Sequence, residues 1–358
     1  MTLCPARLEP VFSPRPWGSL SLAPFFPQMS KLAEPVGEAW MTGNECRFAT
    51  GPFAGQKLGE AWPAMPPEWT GTQADRSATF PLLVKFIFPK DKLSVQVHPD
   101  DDYAALHEQA AGGRGKTEMW YVMRAARRAE VLVGMKPDVT LEQFRSAIAD
   151  GTAENCLERV PLRTGEAVFV PAGTAHTIGP GLVLCEIQEH SDLTYRVYDY
   201  NRRDAQGRSR ELHVEKALEV IRFGNQIGGK IDPVCVKPNR AKLGVFAQTL
   251  FVACKYFAAE KWEFRKYAIA KSSPEHFDLL IVLEGSGEIA WGERNERHAE
   301  YSPAQVWLIP AGLGIYGLKA HSPTSLLCTC VPGDLGEFSR RLAARGISGS
   351  GISHLVRR

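Results

Sequence analysis

Three short segments carry the side chains best suited to chemistry in this chain: Gln96-Val97-His98, Glu118 at the head of Glu118-Met119-Trp120-Tyr121, and His176 just after Pro171-Ala172-Gly173. Two imidazoles, a carboxylate and a carboxamide oxygen make a ligand set for one divalent metal, most naturally zinc, with a position left for water or substrate. Gln96 and His98 lie two apart, so on a strand they project to the same face. Taken singly, Gln96 and His98 read equally well as a polar pair on a solvated sheet face, and Glu118 and His176 are each more often structural; it is their joint appearance at repeat-equivalent turns that points to a metal. Lys116, two before Glu118, projects with it and is a candidate for gripping an anion. Arg196 sits in the middle of Tyr195-Arg196-Val197-Tyr198. A guanidinium is costly to bury there unless something anionic meets it. Either Asp192 or Asp199 pairs with it, or a phosphate or enediolate does, and its planar fork suits both. His190 is near enough in sequence to join such a site. His107, His213, His276, His298, His321 and His354 have no partners at ligand spacing and read as surface residues.

The elements that must position these groups are mostly strands. Short apolar runs occupy 80–88, 119–123, 129–133, 167–170 and 182–187, punctuated by Gly and Pro. Three stretches read as helices: 140–151, with Thr140 and Gln143 as a capping box, 213–223 and 334–345. A faint internal repeat aligns residues 165–173 with 304–312, each ending in Pro-Ala-Gly, and 118–123 with 278–283. Each copy reads as strand, turn, strand, Pro-Ala-Gly turn, strand, the pattern of a cupin, a small jelly-roll barrel whose turns carry metal ligands. The expected fold is mainly β: two cupin barrels with a few inserted helices. A metal-binding catalytic domain is expected over 1–240 and a degenerate, metal-free one over 241–358, because Ile315 stands where His176 stands and Asp278 stands alone.

Composition sets the remaining limits. With 44% hydrophobic and 23% charged residues and a net charge of +2, the chain is an ordinary globular protein without the field that nucleic acid or a membrane surface would require. No apolar run suggests a signal peptide or a membrane span. The eight cysteines are scattered, which favours reduced thiols and a cytoplasmic location over a disulfide framework. Cys328 and Cys330 could hold a soft metal, but strand alternation is taken to set them on opposite faces.

At these residues the chain resembles the type I mannose-6-phosphate isomerases, particularly their shorter bacterial branch. The similarity runs through Leu93-Ser94-Val95-Gln96-Val97-His98-Pro99-Asp100-Asp101, Gly115-Lys116-Thr117-Glu118-Met119-Trp120-Tyr121, Pro171-Ala172-Gly173-Thr174-Ala175-His176 and Ser191-Asp192-Leu193-Thr194-Tyr195-Arg196-Val197-Tyr198. It is strong over about the first 225 residues and thin beyond. The resemblance implies a zinc-dependent aldose–ketose isomerase that interconverts mannose 6-phosphate and fructose 6-phosphate through an enediolate. It implies His98, Glu118 and His176 as zinc ligands, with Gln96 a ligand in the longer members. It also implies Arg196 as the catalytic arginine and Lys116 as a substrate contact. The proton carrier is left open among His190, Lys116 and zinc-bound water. The alternatives are a sugar-phosphate-binding cupin without turnover and an iron-dependent cupin oxygenase. The expected partner is a small sugar phosphate; the oligomeric state is left open, a monomer included.

Overall fold

The computed structural model describes residues 2–76, 79–203, 207–224, 228–236 and 247–357. The chain divides into two compact units, one built from Phe12–Ala39 and Val84–Ile231, the other from Met1–Val11, Trp40–Leu83 and Asp232–Arg358. The expected cut at residue 240 lies outside the described residues. The structure also differs from a single cut, because residues 1–11 and 40–83 group with the C-terminal part. Antiparallel pairing is the reason: Ala6–Glu9 lies between Val306–Ile309 and Arg47–Phe48, with Ala6 opposite Leu308. No local pattern in the sequence reveals so distant a partner.

The first unit has two antiparallel sheets. The larger runs, in spatial order, Gly229–Lys230, Ala167–Val170, Glu118–Ala125, Leu182–Glu189, Leu82–Ile87, Val36–Trp40 and Val11–Ser19. The smaller runs Tyr195–Tyr198, Val95–Val97, His176–Ile178, Glu130–Met135 and Leu157–Pro161. Trp120, Val122, Val168 and Leu184 of the larger sheet pack with Val131, Val133 and Ile178 of the smaller one in a single core. The other face of the smaller sheet is covered by helices. Val95, Val97 and Val197 pack there against Phe144 and against Ala217 and Leu218. The alternation of Val95-Gln96-Val97-His98 is thereby explained. Its valines go to the helices, and its polar side chains go to the interior between the sheets.

Both covering helices were legible in the sequence. Leu141–Ala149 carries the expected capping box, Thr140 with Gln143. The second is shorter than expected, Val214–Val220. His213 is drawn off into backbone pairing: its N–H donates to the Arg196 carbonyl at 2.7 Å, and its Nδ1 accepts the Arg196 N–H at 3.2 Å.

The second unit repeats the plan with an eight-stranded and a four-stranded sheet. Their shared core includes Trp262, Leu280, Trp307, Tyr316 and Leu326. The predicted C-terminal helix is Leu335–Ala344, capped by Asp334; a further helix, Gly349–Leu355, capped by Ser348, had no clear sequence pattern. The repeat is visible in the strand register. Glu118 lies opposite Val170, the residue before Pro171, and Asp278 lies opposite Ile309, the residue before Pro310. One expected equivalence shifts. Ile315 points out, 63% exposed, and it is Tyr316 that turns into the core. The second turn is therefore one residue out of step with the first. Among the described residues no helix is long and apolar enough to cross a membrane.

Candidate metal centre and active site

The ends of three neighbouring strands put the candidate ligands side by side. Arg196 is opposite Gln96, and Gln96 is opposite His176, so the three form a row across the smaller sheet. Glu118 opens the third strand of the larger sheet, and His98 follows Val95–Val97 directly. The Pro171-Ala172-Gly173 turn is pinned to this floor, since the Gly173 N–H donates to the His98 carbonyl at 2.8 Å. Gly173 has φ +83°, and a Cβ there would lie 2.9 Å from the Val220 carbonyl oxygen. Only glycine fits that conformation without strain.

His98, Glu118 and His176 are all at most 1% exposed, and one ligand atom from each lies within 4.8 Å of the others. The His98 Nδ1 faces the Leu193 carbonyl at 2.8 Å, and the His176 Nδ1 faces the Thr174 carbonyl at 2.9 Å. Each carbonyl can only accept, so both Nδ1 atoms carry the proton and both Nε2 atoms keep a lone pair. Those lone pairs face the carboxylate. His176 Nε2 is 3.4 Å from Glu118 Oε1, and His98 Nε2 is 3.8 Å from Glu118 Oε2. The His98 Nε2 is buried with no hydrogen-bond partner among the described residues. Burial first, then the Lys116 ammonium and His176, hold the His98 imidazole well below its ordinary value; burial pushes His176 down to about 4. Two neutral imidazoles and a carboxylate, oriented by backbone carbonyls, fit a divalent metal. Gln96 is placed beside them through its Nε2, 3.2 Å from His176 Nε2. The atom facing His176 is thus the amide nitrogen, and a half-turn of the carboxamide is needed to present the oxygen.

Gln96 and Lys116, which touch these residues, border a cavity of about 410 Å³ together with Arg196, Lys85, Glu186 and Arg210 among others. Lys116 Nζ lies 2.8 Å from Glu118 Oε2 and 3.5 Å from Glu186 Oε1. Burial works against its charge, but the carboxylates of Glu118, Glu186 and Asp192 outweigh it and raise its pKa. Lys116 is therefore a fixed cation and a poor proton acceptor. Arg196 makes no ion pair among the described residues. Neither aspartate considered in the sequence reaches it: Asp192 lies 2.6 Å from Lys85 Nζ, and Asp199 is held by Arg202 and Arg210. Its Nη1 donates to the Glu211 carbonyl at 2.9 Å, while its Nε is buried without a partner. Burial and the neighbouring Arg210 lower its pKa. His190 does not border the cavity.

Sequence reasoning missed Lys85 and Glu186. Lys85 is 1% exposed in the fully buried strand Leu82–Ile87, and Glu186 is 5% exposed in Leu182–Glu189. The trace was there: one charged residue in the middle of each apolar run, where a charge is costly without a partner. Burial pushes the Glu186 carboxyl up, against the pull of Lys116 and with a further push from the Glu118 charge.

Known proteins resemble this chain in sequence and fold. A family model described as "Phosphomannose isomerase type I, catalytic domain" matches residues 6–119. The mannose-6-phosphate isomerase ManA of Bacillus subtilis is 34% identical over 326 residues, which is 90% of this chain and 98% of that protein. The probable mannose-6-phosphate isomerase GmuF of the same organism is 37% identical, over 88% of this chain and 96% of the relative. Among solved structures, the mannose 6-phosphate isomerase from Bacillus subtilis superposes with a TM-score of 0.80 at 30% identity, covering 91% of this chain and 99% of that one. A putative mannosephosphate isomerase from Archaeoglobus fulgidus shares the fold, with a TM-score of 0.68 at 18% identity. Full-length relatives at this identity, together with a matching fold, show that the chain belongs to the type I mannose-6-phosphate isomerase family.

Proposed function

We propose that this protein is a zinc-dependent isomerase interconverting mannose 6-phosphate and fructose 6-phosphate. The observation that carries the reading is the pair of His98 and His176 Nε2 lone pairs turned toward Glu118, with Gln96 and Lys116 joining that cluster to a cavity lined by cations. His98, Glu118 and His176 would hold the metal, with Gln96 as a fourth group once its carboxamide turns. When bound, the metal would polarise the sugar carbonyl without changing its own oxidation state.

The rest of the work falls to the chain's own side chains. Arg15, Lys85, Lys116, Arg196 and Arg210 border the cavity, a cationic lining suited to a phosphate dianion. Lys116, fixed between Glu118 and Glu186, orients the substrate. Arg196, the cation without a carboxylate partner, meets the negative charge that develops as the carbon-bound proton leaves. That proton needs a carrier that takes it from C2 of the aldose and returns it to C1. Glu186 fits best: its carboxyl borders the cavity, and its raised pKa brings it nearer the range where a general base works well.

Glu186→Gln should lower turnover by about a hundredfold or more, the usual contribution of general acid–base catalysis. The acid limb of the pH–rate profile should vanish with it. A variant that keeps both the limb and near-normal turnover would remove Glu186 from the mechanism.

The reading as a whole is tested by a coupled assay of purified protein with mannose 6-phosphate. Turnover should be lost on chelation and restored by zinc. Absence of turnover in fully metallated, folded protein would leave the alternative, a sugar-phosphate-binding cupin; Arg196, without an ion-pair partner among the described residues, and the buried Glu186 weigh against that. The eight free cysteines accord with a reducing compartment, and we place the enzyme in the cytoplasm.

A further inference from the structure

A second group of metal-ligating side chains shares no residue with the site described above. His276, Asp278 and Cys330 each present one donor atom within 4.8 Å of the others. Strand pairing places them where the repeat predicts a site. Asp278 opens the strand Asp278–Glu284 as Glu118 opens Glu118–Ala125. Leu279 pairs with Thr329, so one step outward Asp278 has Cys330 beside it; the corresponding partner of Glu118 is Gln188. His276 precedes Asp278 by two residues, as Lys116 precedes Glu118. The expectation that Asp278 stands alone is therefore corrected. Around an equivalent carboxylate, the second copy has histidine in place of lysine and cysteine in place of glutamine.

The surroundings suit a cation. Cys328 and Cys330 lie two apart on Thr324–Cys330, so alternation sets them on the same face, not on opposite ones as taken above. Both border a cavity of about 520 Å³ together with His276, Asp278, Glu260 and Arg341. The nearby arginines already have partners: Arg341 holds Glu275, and Arg345 reaches Glu260 at 3.2 Å and Gln248 at 2.9 Å. Among the described residues, the charged group within 4.0 Å of Asp278 is His276, whose Nδ1 is 3.4 Å from Asp278 Oδ1. Asp278 and Cys330 are each only 9% exposed. Tyr316, the inward residue at the turn that carries His176 in the other copy, has a buried hydroxyl without a partner among the described residues. Buried polar groups normally have partners.

We propose that His276, Asp278 and Cys330 form a second divalent-metal site, suited to zinc or an ion of similar softness, with a coordination position open to the cavity. Imidazole nitrogen, carboxylate oxygen and thiolate sulfur are all zinc donors, and three protein ligands leave the fourth position free. Tetrahedral bonds of about 2.0–2.3 Å set donors about 3.5 Å apart, so the cluster needs only a small contraction. A thiolate among three protein donors disfavours magnesium and calcium, which take oxygen.

Cobalt(II) tests this without reference to isomerase activity. A cobalt–thiolate bond gives a strong near-ultraviolet charge-transfer band, and the His98–Glu118–His176 set contains no sulfur to produce one. Titration of the metal-free protein with cobalt should raise the band to saturation at about one equivalent of thiolate-bound metal. His176→Ala should retain it, Cys328→Ser should retain it, and Cys330→Ser should abolish it. His276→Gln should weaken the apparent affinity at least about tenfold, which gives a second reading if Cys330→Ser does not fold. No band in the folded wild-type chain would overturn the site, leaving a metal-free hydrogen-bonded cluster. Persistence of the band in folded Cys330→Ser would do the same.

Discussion

His176→Ala should lose one equivalent of metal and, with it, turnover on the order of a thousandfold, as expected when several kcal/mol of transition-state stabilisation disappear. The cause is specific. His176 presents its Nε2 3.4 Å from Glu118 Oε1, with Nδ1 committed to the Thr174 carbonyl. No other side chain in the row from Arg196 through Gln96 offers an imidazole. Gln96→Ala should cost less, since a carboxamide oxygen is a poorer zinc ligand than imidazole or carboxylate. Elemental analysis checks the ordering: full metal content in folded His176→Ala would disprove the assignment. Acid adds an independent check. In the metal-free protein both histidines are neutral because burial lowers their pKa, to about 4 for His176. The unfolded chain binds those protons first, so the metal-free fold should lose stability as pH falls from about 6.5 toward 4 and not as it rises.

Arg196→Ala should leave metal content and fold in place while lowering turnover on the order of a hundredfold or more, by analogy with the loss of one oxyanion donor. A group acting mainly in the transition state lowers kcat far more than it raises KM. The alternative is a structural ion-pair partner, and the geometry argues against it: Asp192 and Asp199 are both engaged elsewhere, and the Arg196 Nε is buried without a partner. Near-normal turnover, or loss that follows unfolding in a circular-dichroism melt, would return the residue to a structural role.

The candidate ligands were legible because metal chemistry needs few residue types, and strand alternation fixes their facing from spacing alone. Gln96 with His98, and Lys116 with Glu118, follow from a separation of two residues. Lys85 and Glu186 left only a trace, one charge within each apolar run, because their significance lies in each other and in Asp192, across strands far apart in sequence. The mainly β architecture and the covering helices followed from apolar period and capping chemistry. The interleaving of the units did not, since it depends on Ala6 finding Leu308. The His276–Asp278–Cys330 cluster was not legible because Cys330 meets Asp278 only through the pairing of their strands, Leu279 opposite Thr329.

That pairing of Ala6–Glu9 with Val306–Ile309 has a consequence for biosynthesis. Roughly 300 residues separate the partners, so at about 5–20 residues per second the N-terminal strand waits some 15–60 s on the ribosome for its neighbour. Residues 84–231 are complete well before, so their unit can close first while the edge of Ala6–Glu9 that faces Val306–Ile309 remains unpaired. The vulnerable period of this protein is thus its own synthesis. Substitutions in residues 6–9 should lower the yield of soluble chain at a given expression temperature far more than they alter the activity of the molecules that mature.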